Sequence, residues 1–246
     1  MNQTDSITDA PESSEKKRLD GFSLKIIACA SMVADHTAKF LHAKGIAEII
    51  FSGLIGRMAF PLFCFLLSEG FFHTHNVKKY IARIFIFAVL SEIPFNLMYG
   101  CWFFPEHQNT LFTLGTGLLL FCLLDVIRKK PLLAVRSAVL QIASIAGFAV
   151  LSWLLKFDYG FMGILCLACF YYFNGAMMKK RIDACFWGCL MLNLDLFSEI
   201  GAFLAMIPVS LYSGKRGRAT TARGKLAFYI FYPAHLLILA ALTLLP

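Results

Sequence analysis

The chain has 246 residues, of which 59% are hydrophobic and 15% charged. A soluble domain is typically about 45–50% apolar and about 25% charged, so this composition excludes an ordinary soluble fold and points to lipid as the solvent. The net charge of +8 is scattered through short loops between apolar runs, which excludes a nucleic-acid surface.

In chain order, "MNQTDSITDAPESSEKKRLD" opens the sequence with no apolar core of the signal-peptide kind. Residues 1–21 read as a disordered cytoplasmic tail, and 22–246 as one membrane domain whose first apolar segment is an uncleaved anchor. Apolar runs then predict about nine transmembrane helices, at 22–42, 46–72, 79–99, 110–127, 132–154, 159–173, 182–192, 196–212 and 225–245. The sixth and seventh are short for a full crossing. With the N-terminus in the cytoplasm, all of the 23 Lys and Arg residues except Lys39, Lys44, Arg57 and Lys156 fall on the inner side. That bias predicts an all-α polytopic bundle with the N-terminus in and the C-terminus out, its basic loops against anionic lipid. The segment "YGCWFFPEHQNT", 99–110, reads as an interfacial cap on the outer side. Cys166-x-x-Cys169 is embedded in "GILCLACFYYF", where it reads as helix packing, so no metal site is expected.

Ionisable groups inside the spans need an account, since each costs about 2.5–3.5 kcal/mol on insertion scales. Asp35 and His36 lie deep in the first span. A carboxylate beside an imidazole suits a general base, whereas the plainer reading pairs Asp35 with Lys39 one turn on. Lys25 precedes His36 by three turns, on nearly the same face and about 16–17 Å away. That spacing suits a long anionic ligand such as coenzyme A, although a lysine at a membrane edge also snorkels. In the second span Arg57 lies in the outer half and Glu69 near the inner end, with His73 on the same face. In the third, Lys79 and Arg83 share a face as a phosphate clamp, and Glu92 and Asn96 form a deeper polar cluster around Pro94. Arg57 and Glu92 at similar depth could be a structural ion pair or part of a site. Asn109, Thr110, Thr113 and Thr116 read as close helix packing. Asp158 is open between a helix cap and a ligand. His235, behind Pro233 in the last span, is open between packing and function.

The runs "LKIIACASMVADHTAKFL", "GRMAFPLFCFLLSEGFFHTHNVKKYIARIFIFAVLSEIPFNL" and "FYIFYPAHLLIL" resemble the TraX family, named for a conjugation protein linked to N-acetylation of pilin. The resemblance is densest over 24–97 and is similar in turn to a wider set of membrane acyltransferases, including sugar O-acetylases. Many of those carry a basic residue followed, after ten residues, by a first-helix histidine, a pattern that Lys25 and His36 match. The resemblance implies an acyltransferase of a bacterial cytoplasmic membrane. Cytoplasmic acetyl-CoA would be the donor, and a protein N-terminus or a glycan at or across the membrane the acceptor. It makes His36 the base or acyl relay and Asp35 its orienter. An acyl transfer also needs a donor for the oxyanion, for which the buried Arg57 or Asn96 is the candidate. The paired arginines of the O-acetylases' third helix are absent, and Lys78, Lys79 and Arg83 supply that charge at another spacing. Two other readings share these buried groups, a proton-coupled carrier and a non-catalytic assembly factor for a surface appendage.

Overall fold

A computed structural model describes residues 18–192, 194–217 and 222–242. The expected tail lies outside the described residues up to position 17. Among the described residues there are nine helices and no strands. They are α1 Gly21–Phe40, α2 Ile46–His73, α3 Val77–Met98, α4 Thr110–Lys129 and α5 Ala134–Leu154. After these come α6 Gly160–Tyr172, α7 Met178–Leu190, α8 Leu196–Ser210 and α9 Ala222–Leu242. Each apolar run of the sequence is a helix, its ends shifted by no more than about one turn. Four of them, α2 to α5, are long and apolar enough to cross a membrane. The chain is a helical membrane protein whose outward apolar side chains meet lipid.

Side-chain caps start several helices: Asp20 accepts from the Ser23 amide at 2.8 Å, and Asn76 from that of Lys79 at 2.9 Å. Helix α4 forms the centre, with Leu118, Leu120, Phe121 and Leu124 fully buried. Helix α5 is peripheral; Leu133, Val135, Ile142 and Trp153 along it are exposed to lipid. Helix α9 lies along α3, and α1 packs against α2.

Helix α2 is irregular where it meets α1. An α-turn at Ile46–Glu48 widens into a π-helix at Ile49–Ile55, tightens to a 3-10 turn at Gly56–Met58, then runs as α-helix from Ala59. Pro61 cannot donate to the Arg57 carbonyl, so the regular ladder breaks just upstream of it. The hydroxyl of Ser31 in α1 donates to the Ile55 carbonyl, completing a backbone group that lipid could not. Helix α8 crosses the π segment on a glycine: a methyl group at Gly201 would sit 2.6 Å from the Leu54 carbonyl oxygen and closer still to that of Gly53.

The two ends of the bundle differ. At the basic end, Leu19 pairs with the segment after α8, through Leu19 N to Leu211 O at 2.8 Å and Ser213 N to Leu19 O at 2.7 Å. At the other end the 99–109 connection closes over the helices as a cap, with Trp102 and Phe103 exposed on it. It bonds the 155–159 connection through Gln108 N to Lys156 O and Asp158 N to Gln108 O, both 2.9 Å. Lys156 and Glu106 form an ion pair there. His107 Nε2 lies 3.4 Å from Asp158 Oδ1. The bond to Asp158 raises the His107 pKa above its ordinary 6.5. Burial pushes the Asp158 carboxyl up, but His107 and Thr110 outweigh it and hold it below its ordinary range. Asp158 is not the cap of α6: Tyr159, at φ +62°, precedes that helix, and the Asp158 carboxylate turns instead to His107 and Thr110.

Two outcomes are expected. Gly201→Ala should destabilise the bundle by about 1–3 kcal/mol through overpacking, whereas Gly147→Ala, with open space around it, should not; melting in detergent compares them. The ion pair at the cap contributes stability while His107 is protonated. Because its folded pKa is raised, that contribution is full below about 6.5 and is lost as pH rises through the folded value. Wild-type melting should therefore fall over that window, and His107→Asn should flatten the dependence.

Candidate functional site

A cavity of about 1940 Å³, counting its open mouths, runs along the bundle between α1, α2, α3, α4 and α9. Lys25, Glu69, His73, Arg83 and Arg216 line it at the basic end. Asp35, His36, Arg57, His107, Asp158 and Tyr159 line it toward the cap. Apolar side chains, among them Met32, Phe63, Leu67 and Leu114, line the stretch between.

Near the cap end, α1 and α9 bring two histidines together. His36 Nδ1 lies 2.8 Å from His235 Nε2, in rings whose planes differ by 1°. Each residue is 8% exposed. Their tautomers follow from one carbonyl. His235 Nδ1 lies 3.0 Å from the Phe231 carbonyl oxygen, which can only accept, so Nδ1–H is the donor. The neutral ring then presents Nε2 as an acceptor, and His36 must donate to it from Nδ1. That leaves His36 Nε2 with its lone pair, in a residue that lines the cavity.

Asp35 does not orient His36. Its Oδ2 accepts from Lys39 Nζ at 2.7 Å and its Oδ1 from Ser52 Oγ at 2.6 Å. Consecutive helix residues point about 100° apart, so Asp35 turns to α2 while His36 turns to α9. Gly56 allows that contact, since a methyl group there would sit 2.6 Å from the Asp35 Cβ. The lysine pairing expected one turn on is present, and the orienting role passes to His235.

Arg57 and Glu92 do not pair. Glu92 accepts from the side-chain amide of Asn109, the residue that caps α4, because α3 packs beside α4. Arg57 lies beside Tyr159, and its buried Nε has no hydrogen-bond partner. Asn96 is tucked beneath the cap, 3.4 Å from the Trp102 carbonyl, and does not line the cavity. Thr113, expected as packing, donates to the Asp158 carbonyl.

At the basic end, Lys25 Nζ sits 5.2 Å from the centre of the Phe228 ring, and Arg83 lies beside Tyr229. Lys78 and Lys79 are exposed and outside the cavity, because the inward face of α3 there carries Tyr80, Arg83 and Ile84. The expected lysine clamp therefore reduces to Arg83, joined by Lys25 and by Arg216. Those three cations suit phosphate groups. Glu69 accepts from Asn174 at 3.2 Å, and His73 Nδ1 donates to the Glu69 carbonyl at 2.8 Å. Among the described residues no group of three or more His, Cys, Asp or Glu could hold a metal ion.

Sequence reasoning missed His107, Tyr159, Arg216 and Tyr232 as cavity-lining residues and Ser52 as the partner of Asp35. Tyr232 alone left a signal, three positions before His235 on the same helix face.

No solved structure matches the chain. It is 30% identical over 241 residues to a protein of Dichelobacter nodosus named "Probable fimbrial assembly protein FimC, serogroup H1", covering 89% of this chain and 94% of that one. With its spans, this likeness places the chain among bacterial membrane proteins. The family model described as "TraX protein" matches residues 21–243, all nine helices, and the chain belongs to the TraX family.

Proposed function

We propose that the chain is an acetyl-CoA-dependent acyltransferase of the bacterial cytoplasmic membrane that acts in the assembly of a fimbria or pilus. All nine helices cross or insert in the membrane, with the N-terminus in and the basic end facing the cytoplasm, as the placement of Lys and Arg supports. The observation that carries the reading is the His36–His235 pair. Its tautomers leave a basic nitrogen inside a cavity whose other end is cationic. A donor of phosphate–pantetheine–thioester shape fits that gradient, its phosphates at Lys25, Arg83 and Arg216 and its narrow arm in the apolar stretch.

The chemistry then balances as follows. His36 Nε2 takes the proton of the acceptor's amine or hydroxyl as that nucleophile adds to the thioester carbonyl. The C–S bond breaks, and the departing thiolate takes the proton back from the imidazolium. The products are acetylated acceptor and free thiol, and His36 returns to its starting tautomer. His235 stabilises the imidazolium that forms. Asp35, held by Lys39 and Ser52, adds a fixed negative charge on the same turn without touching the ring.

The relative's name supports a second reading, in which the chain takes part in assembly without catalysis. Inverted membrane vesicles given acetyl-CoA labelled in its acetyl group separate the two. Wild type should pass label to protein or glycan, and His36→Ala should do so about 10²–10⁴-fold more slowly. No transfer by wild type would remove the acyltransferase reading and leave assembly alone; unchanged transfer by His36→Ala would remove His36. Lys25→Ala and Arg83→Ala should each weaken coenzyme A binding by about tenfold, the loss of one charge-assisted contact. The weakening should be largest at low salt. Calorimetry on the purified chain measures it, and unaltered affinity would move the phosphate site elsewhere.

A further inference from the structure

Six buried side-chain atoms among the described residues have no hydrogen-bond partner, and the residues of just two of them line the cavity. Both of those atoms belong to donor groups: the Arg57 guanidinium nitrogen Nε and the Tyr232 hydroxyl. Tyr232 is 6% exposed. The side chain and backbone amide of Thr110 lie beside its oxygen, but the phenol proton reaches no acceptor in hydrogen-bond geometry. The Tyr232 ring stands edge-on to both histidines, its centre 6.4 Å from that of His36 and 5.5 Å from that of His235. Buried donors normally have acceptors, and a pair left without them at the same end of a cavity implies that the acceptor comes from a ligand.

We propose that Tyr232 and Arg57 form a carbonyl-binding subsite beside His36, which holds the acyl oxygen of the donor; this rests on the acyltransferase reading above. As the acceptor's nucleophile adds to the carbonyl carbon, the C=O π pair moves onto oxygen. The phenol O–H and the guanidinium N–H hold that charge without surrendering their protons. When the C–S bond breaks, the pair returns and re-forms the carbonyl. Donors fixed in a site closed to water are effective in this role, since they need no reorganisation as charge develops. Tyr232 is thereby a catalytic residue by contact with the reacting atoms, and the sequence alone gave it no assignment.

The test compares two probes, acetyl-CoA and its thioether analogue S-ethyl-CoA, which has the same arm and lacks only the thioester carbonyl. Binding to the purified full chain in detergent is measured by calorimetry. Wild type should prefer acetyl-CoA by about three- to tenfold, the worth of a ground-state hydrogen bond. Tyr232→Phe should shrink the preference to the part that Arg57 supplies while leaving the affinity for S-ethyl-CoA unchanged. Replacing Tyr232 with 3-fluorotyrosine keeps the shape, strengthens the donor and should widen the preference, which guards against a folding defect in the phenylalanine variant. A preference that is undiminished in Tyr232→Phe, or that 3-fluorotyrosine leaves unmoved, overturns the assignment of Tyr232. Equal binding of the two probes by wild type overturns the subsite. Binding of neither by wild type overturns the acyltransferase reading on which the subsite rests.

Discussion

Inside a lipid-facing bundle no polar group can fall back on water, and the local shape of this chain follows from that constraint. Asp35 is the clearest case. A carboxylate in a span is stable only with partners, and Lys39 on its own helix supplies one. The other comes from Ser52, which α2 can offer because its backbone there winds as a π-helix. Widening the helix in turn leaves the Ile55 carbonyl to be completed by Ser31 of α1. The same junction needs Gly56 against Asp35 and Gly201 against the widened turns. The buried charge thus sits against the irregular half of α2 that Pro61 helps to break, where α1 and α8 both close on it.

How far the sequence discloses this depends on the range of the interaction. The helices were legible because a span is announced by its own residues, as in "FAVL" of α3 or "GLLLFCLL" of α4. Asp35 with Lys39 was legible for the same reason, four residues on one face. The partner of His36 was not: His235 stands 199 positions away, and only the packing of α9 along α3 and beside α1 brings it in. Arg57 and Glu92 show the opposite failure. Equal depth suggested a pair, but depth says nothing of rotation about the helix axis, and Glu92 faces α4 instead of α2. The π-helix has no residue signature that would have placed Ser52 beneath a carboxylate.

The cavity combines these local solutions into a gradient of polarity. Cations gather at one mouth, aliphatic and aromatic side chains follow, and the paired imidazoles stand at the far end near the cap. A ligand that is highly charged at one end, slender in the middle and polar again at its tip is matched by that order, and one of uniform polarity is not. The unpaired donors belong to this pattern as well. Of the buried side-chain atoms without a partner among the described residues, those of Arg57 and Tyr232 belong to residues that line the cavity, whereas those of Glu92, Asn96, Arg181 and Glu199 do not.

The imidazole pair joins α1 to α9, and this has a consequence for how the protein is made. A ribosome delivers α1 to the membrane long before α9, and in the interval His36 has no fixed tautomer, since the ring that accepts its proton has not yet been synthesised. The oriented imidazole is therefore created by the closing of the bundle and not by the insertion of any one helix. A nascent chain caught with α9 still unplaced would hold Lys25, Arg83 and Arg216 of the cationic mouth, and no oriented histidine. The orientation of His36 is in this way made conditional on complete assembly, by the geometry of a single contact between distant helices.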